Sequence, residues 1–396
     1  MWDSAGTLRL LHVIPSYFPA VRYGGLTSAS HGLASALARR GNEVHVYTTT
    51  VDGSTDLQVP HGVPVQQDGV AVSYFPSPML RRLYWSPNLA LEMRRTITTF
   101  DAVHVHSTYL WPTWAAARIA ERFVVPYIVS PHGMLVRRLI QGKNRWVKTA
   151  WINLVERRSL RRAWAVHVTS DAEAGEVAAM GFKPQRVCKV WHGVDWSSEF
   201  PALAAGPFAG LPRPYALFLG RINWEKGLDR LIAAWNHVPD LHLVIAGNDE
   251  GGYLPRLQEL VRAGNGSDRI HFVGPASNEH KWALLSAAEM FLLPSYSENF
   301  GCVVAEAMAM ARPVVVTPEV GISEVVRDAG AGLVAGGSPE LLAAAVRSLH
   351  ADPTLRQDMG DRGRRAALER LSWDAVAADM EALYAAAAER YSATRH

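Results

Sequence analysis

Two carboxylates, Glu298 and Glu306, stand eight positions apart in the stretch from Phe291 to Ala311. A short apolar run ends at Pro294, a polar turn follows, and from about Gly301 small and apolar residues read as a helix. A strand, loop and helix unit of this kind gathers backbone N–H groups and the positive end of the peptide dipoles at the helix N-terminus, which suits a phosphate or diphosphate. Like charge keeps the two carboxylates off such an anion, but each can accept hydrogen bonds from sugar hydroxyls on either side of it. A helix-capping acid followed by a solvated helical glutamate fits the same two positions. A second pair, Arg221 and Lys226, lies between Gly220 and Gly227 just after the apolar run Tyr215 to Leu219. Two cations there can clamp a diphosphate and neutralise charge developing on a leaving phosphate, or can simply be surface charges. His132, between Pro131 and Gly133, follows the strand-like run Tyr127 to Ser130. His104, His106 and His167 lie within or at the ends of strands and are read as core or network residues.

These residues need a scaffold that places them on one edge. The run Leu8 to Ile14, an amphipathic helix from about Thr27 to Arg40 and a strand from Glu43 to Thr49 form a βαβ opening, the start of a parallel, Rossmann-like sheet. Further strands are predicted at 70–75, 102–106, 127–130 and 164–169, with helical patterns between them. The first loop carries Tyr23-Gly24-Gly25 in place of G-x-G-x-x-G, which argues against a nicotinamide dinucleotide. The stretch 196–214, with four prolines, reads as a linker. A second alternating series then runs through strands at 215–219, 241–246, 270–273, 290–293 and 314–317. In an open parallel sheet, ligands bind beyond the carboxyl ends of the strands, where His132, Arg221, Lys226 and Glu298 all fall.

The chain has 396 residues, 48% hydrophobic and 19% charged, which indicates a globular protein of two domains. Its net charge of +3 does not imply a nucleic-acid partner, and no nucleic-acid-binding motif is present. Cys188 and Cys302 have no metal-type spacing and read as free thiols. No apolar run reaches the roughly 18 residues of a spanning helix. Met1 to Gly6 brings no basic segment ahead of the first strand, so a cytoplasmic protein is expected. Between Met134 and Trp164 nine basic residues, among them Arg137, Arg138, Lys143, Arg145 and Lys148, face the single acid Glu156, interleaved with Trp146, Trp151 and Leu154. Such a stretch can lie on an anionic membrane surface or receive a phosphorylated lipid, which would make the protein peripheral on the inner face of the cytoplasmic membrane. It can equally be a solvated helix face.

Taken together, the chain resembles the retaining glycosyltransferases of family 4, of the bacterial polysaccharide and lipid-glycan type. The matching pieces are Gly24-Gly25, Pro131-His132-Gly133, the segment from Gly220-Arg221 to Lys226-Gly227, and Glu298-Asn299-Phe300-Gly301 with Glu306. Supporting matches are His192-Gly193-Val194-Asp195, where the family usually has Asn first, Val320-Gly321-Ile322-Ser323-Glu324, and Leu371-Ser372-Trp373 before a last helix. The resemblance covers nearly the whole chain and implies the α/β GT-B fold, two Rossmann-like domains facing each other across a cleft. The expected domains are 1–200, with 376–396 packing back on it, and 201–375. The first would bind the acceptor, a glycan or polyprenyl-diphosphate-linked glycan, and the second a UDP- or GDP-sugar donor. By the same resemblance Arg221 and Lys226 would hold the diphosphate, with backbone amides near Asn299, Phe300 and Gly301. Glu306 would meet the ribose, Glu298 and His132 the donor sugar as catalytic residues, Gly25 the donor phosphates, and Gly274-Pro275 the base. No cofactor or metal is expected, because the two cations can supply the charge. A glycoside hydrolase and a non-catalytic membrane-associated scaffold are the alternatives.

Overall fold

In the computed structural model, the described residues are 6–20, 25–135, 151–196, 203, 207–249, 251–265 and 268–392. They divide into two compact units: Met1–Gly193 with Trp373–His396, and Val194–Ser372. The chain therefore changes unit at 193/194 and at 372/373, a few residues before the boundaries expected from the proline-rich stretch and the last helix.

The first unit is built on an eight-stranded sheet. Its strands are β1 (Arg9–Val13), β2 (Glu43–Thr49), β5 (Val65–Gln67), β6 (Val70–Phe75), β7 (Ala102–His106), β8 (Tyr127–Ser130), β9 (Ala165–Val168) and β10 (Val187–Lys189), with β3 (Val51–Asp52) and β4 (Thr55–Asp56) forming a separate small hairpin. The order is β10-β9-β8-β7-β1-β2-β6-β5, all parallel except the β5–β6 pair. Both faces are covered, so the central strands are buried on both sides and their mostly apolar residues alternate between two cores. Leu11, Val13, Val103, Val105 and Val129 point into one cluster. Leu10, Ile14, Val44, Val46, Ile128 and the C-terminal residues Trp373, Met380 and Ala387 form the other. His12, His104 and His106 take positions on this second face, which the helices Gly25–Arg39 and Trp373–Ser392 cover. Trp373 is seated there because Gly32 and Gly193 carry no side chain: a Cβ on either would lie 2.3 or 2.2 Å from its indole.

The second unit has a six-stranded parallel sheet of β11 (Tyr215–Leu219), β12 (His242–Ala246), β13 (Ile270–Gly274), β14 (Met290–Leu293), β15 (Val314–Val316) and β16 (Gly332–Val334). Its order is β13-β12-β11-β14-β15-β16. The chain moves outward from β11 through β12 and β13, then returns to the other side of β11 with β14. The β11/β14 border is therefore a topological switch point, where loops leave in opposite directions and open a crevice at the carboxyl edge. In the first unit the equivalent border lies between β1 and β7.

Candidate functional site

The two loops at the β11/β14 switch point are fastened to each other. After β11 the chain runs through Gly220 and Arg221 into a short turn, Trp224–Lys226, that ends at Gly227 with φ 65°. A Cβ at Gly227 would stand 2.1 Å from the Pro294 carbonyl oxygen, so only glycine allows this loop to lie against the end of β14. Arg230, buried in the next helix, Leu228–Trp235, donates from Nε to Pro294 O at 2.7 Å and from a terminal nitrogen to Ser295 O, with its guanidinium 4.1 Å over the Tyr296 ring. Tyr296 N–H donates to Glu225 O at 2.7 Å. On its other side the β14 loop is held by Val320-Gly321-Ile322: Gly321 N–H donates to Glu298 O at 3.0 Å and Ile322 N–H to Phe300 O at 2.8 Å.

These fastenings bring Lys226 and Glu298 into a direct ion pair, both side chains mostly buried. Arg221 is exposed on the same loop as Lys226, and Phe300, two residues after Glu298, is buried. The helix Cys302–Ala309 starts after Gly301, whose φ of 95° makes it a left-handed N-cap without a side-chain cap bond. Glu298 is thus not a helix cap. Glu306, one turn inside that helix, is not a solvated face residue either. Its Oε1 accepts from Lys281 Nζ at 2.7 Å, while its Oε2 is buried without a partner among the described residues. Burial pushes the Glu306 carboxyl above the usual carboxylate range, and Lys281 opposes that shift. Burial and the two glutamates also push the Cys302 thiol up to about 12, which makes it a poor nucleophile. Gly274, at the end of β13, and Pro275 lie on the same carboxyl edge, two strands from β11. Lys281 and Arg230 escaped the sequence reading, since each is a lone cation in a helix whose partner is distant in the chain.

In the first unit, Gly25 opens the helix after β1 and is exposed; the Tyr23-Gly24 part of its loop lies outside the described residues. His132 follows β8 in the left-handed region, φ 52°, a conformation that costs energy in a residue with a side chain and is held by its surroundings. Glu173 is the main holder: its carboxylate accepts from Gly133 N–H at 2.7 Å and from Thr169 N–H at 2.8 Å. The His132 ring stacks between His106 and His192, with centroids 5.3 and 5.4 Å away and interplanar angles of 8° and 7°. Its Nε2 is 3.1 Å from His106 Nδ1, and His106 Nε2 is 3.0 Å from His12 Nδ1.

A second chain of bonds in the same layer has a determined direction. Burial holds His104 well below the usual histidine range and His167 at about 4, so both rings are neutral near neutral pH. The Val190 carbonyl can only accept, so His167 Nε2–H donates to it at 2.9 Å. His167 Nδ1 then accepts from the Ser130 hydroxyl at 2.6 Å, and Ser130 Oγ accepts from His104 Nε2–H at 2.6 Å. His104 Nδ1 is left to accept from Tyr384 O–H at 2.6 Å, which ties the C-terminal helix to the sheet. Ring nitrogens of His12, His104 and His106 lie within 4.8 Å of one another, a spacing that could suit a metal, but both nitrogens of His104 already have protein partners. The patch Arg137, Arg138, Lys143, Arg145 and Lys148 lies outside the described residues. No helix among the described residues is long and apolar enough to cross a membrane.

Two Rossmann-like units, the second with cations and carboxylates converging on its switch point, define a glycosyltransferase of the GT-B fold. Residues 23–197 match the model of Glycosyltransferase Family 4, and residues 207–366 that of Glycosyl transferases group 1. The D-inositol 3-phosphate glycosyltransferase of Xylanimonas cellulosilytica is 30% identical over 93% of this chain and 93% of its own. The alpha-maltose-1-phosphate synthase of Mycolicibacterium smegmatis is 30% identical over 82% of this chain and 89% of its own. Among solved structures, Anabaena HepE in complex with UDP and glucose superposes with a TM-score of 0.73 at 18% identity, covering 96% of this chain and 100% of that one. The chain belongs to glycosyltransferase family 4.

Proposed function

We propose that the protein is a retaining, hexosyltransferase-type enzyme that moves a sugar from a UDP- or GDP-sugar to a hydroxyl of a glycan or lipid-linked glycan, in extracellular polysaccharide or lipopolysaccharide synthesis. The observation that carries this reading is the pair of lysine–carboxylate contacts, Lys226 with Glu298 and Lys281 with Glu306, set at the β11/β14 switch point. Arg221 and Lys226 are assigned to the diphosphate, with amides of Asn299, Phe300 and Gly301. Glu306 is assigned to the ribose, Glu298 to sugar hydroxyls, and Gly274-Pro275 to the base. Gly25 and His132 are the first unit's contributions, and neutral His132, with Nε2 engaged by His106, offers Nδ1 to a sugar hydroxyl.

In the reaction the bond from the anomeric carbon to the diphosphate oxygen breaks, and a bond to the acceptor oxygen forms on the same face. The acceptor proton passes to an oxygen of the departing diphosphate, whose growing charge Arg221 and Lys226 stabilise. In this reading no metal is required. Each carboxylate is neutralised by its own lysine, which suits hydroxyl binding better than the acid and nucleophile pair of a retaining glycoside hydrolase.

Thermal shift with a panel of UDP- and GDP-sugars tests the donor: a true donor at 100 times its Kd adds about 2.7 kcal/mol of stability. No shift with any nucleotide sugar would remove the reading. The relatives' names point to a second acceptor class, a small phosphorylated polyol or sugar. Nucleoside diphosphate release measured with inositol phosphates, sugar phosphates and lipid-linked glycans separates the two. Peripheral attachment at the cytoplasmic membrane through the basic stretch is tested by flotation with anionic liposomes, where binding that salt does not weaken would count against it.

A further inference from the structure

Glu306 and Lys281 are an unequal pair. Both side chains are mostly buried, at 14% and 19% exposure, and Lys281 Nζ also sits 4.6 Å over the Trp282 ring. A buried ion pair built only for stability has every reason to satisfy both carboxylate oxygens, because an unsatisfied buried acceptor costs about 1 to 3 kcal/mol. Here the single ammonium contact goes to Oε1, and Oε2 is buried with no partner among the described residues. A carboxylate has about four acceptor sites, so most of the capacity of Glu306 is unused. The helix that carries Lys281, Asn278–Ala287, follows β13 and is started by Ser277, which accepts from His280 N–H. Its first turn thereby directs the lysine at the helix Cys302–Ala309, beside the switch point.

We infer that Lys281 is a positioning residue for nucleotide recognition, fixing Glu306 by one oxygen as a carboxylate so that the other accepts hydrogen bonds from a ribose diol. The inference rests on the nucleotide-sugar reading and extends it to a residue outside the site motifs. Two charged groups act on the Glu306 carboxyl, Lys281 from the neighbouring helix and Asp195 from the segment that opens the second unit, while Cys302, one turn earlier on its own helix, is a neutral thiol that Glu306 itself pushes up. Burial and Asp195 raise its pKa and Lys281 lowers it. Removing the lysine raises it further, so the carboxylate, and the ribose contact with it, is lost as pH falls.

The test is calorimetric titration of the full chain with UDP and 2′-deoxy-UDP between pH 6 and 8, using GDP and 2′-deoxy-GDP in the same way. The wild type should prefer the ribose form by about tenfold at every pH, the value of one hydrogen bond to a charged group. Lys281→Met, which keeps the aliphatic stem over Trp282, should lose that preference as pH drops from 8 to 6, through a falling affinity for the ribose nucleotide alone. Lys281→Arg should keep both the preference and the flat profile, and thermal melting of each variant checks that it is folded. Retained preference with a flat profile in Lys281→Met overturns the inference. So does an equal loss for ribose and deoxyribose forms, which would make Lys281 a phosphate ligand. If neither UDP nor GDP binds the wild type, the nucleotide-sugar reading itself falls.

Discussion

Acidification from pH 7.5 to 5.5 should strongly destabilise the first unit. His12, His104, His106 and His167 are all buried, at 0 to 4% exposure. Burial lowers His12 to about 3 and His167 to about 4, and holds His104 and His106 well below the normal value. An unfolded histidine titrates near 6.5. Folded-state values below that mean the unfolded chain binds more protons, so the stability contribution is complete above about pH 6.5 and is lost as pH falls toward 4 to 3. At pH 5.5 each unfolded histidine gains about 1.4 kcal/mol from protonation that its folded counterpart does not, and four together about 6 kcal/mol. A domain has about 5 to 15 kcal/mol in all, so the unit should be close to melting. Urea unfolding at pH 7.5, 6.5 and 5.5 measures the loss, and hydrogen exchange of β1, β7 and β8 amides locates it. A loss below about 1.4 kcal/mol, the worth of one histidine, would refute the view that these rings are held neutral.

Tyr384→Phe removes the donor to His104 Nδ1 and should cost about 1 to 3 kcal/mol, read as a lower urea midpoint for the first unit while the second is unchanged. Lys226→Ala and Glu298→Ala should each lower transfer at least about 100-fold, as loss of a charge-stabilising group does; unchanged cellular product would favour a non-catalytic scaffold. Activity should survive EDTA, and complete loss restored by Mn²⁺ would replace the cation clamp with a metal-bridged diphosphate.

Much of the fold was legible because buried parallel strands are continuous apolar runs with clear ends. Tyr215–Leu219 stops at Gly220, Met290–Leu293 at Pro294 and Tyr127–Ser130 at Pro131, and in each case the residue that follows the stop is in a loop on the carboxyl edge. The strands that escaped are short or polar: Val65–Gln67 carries two glutamines, and Gly332–Val334 is three residues held by pairing with β15. Such segments are strands because a neighbour offers hydrogen bonds, which no local pattern records. The same limit applies to the site. Glu298 and Lys226 stand in loops whose spacing suggested chemistry, whereas Lys281 is an ordinary helical lysine until the fold sets it 2.7 Å from Glu306. The histidines at 104, 106 and 167 could be read as network residues, but their link to Tyr384 depends on strand register and on where the last helix docks.

The two changes of unit, at 193/194 and 372/373, set an order of assembly. Synthesis proceeds from the N-terminus at about 5 to 20 residues per second, and domains normally fold as they emerge. Here the second unit, Val194–Ser372, is complete while the first still lacks the helix that carries Trp373 and Tyr384. Until that helix arrives, this face of the first sheet is covered only by the helix Gly25–Arg39, with His104 lacking its donor. The unit that begins the chain is therefore the last to be finished, and no single cut can separate the two as independent halves.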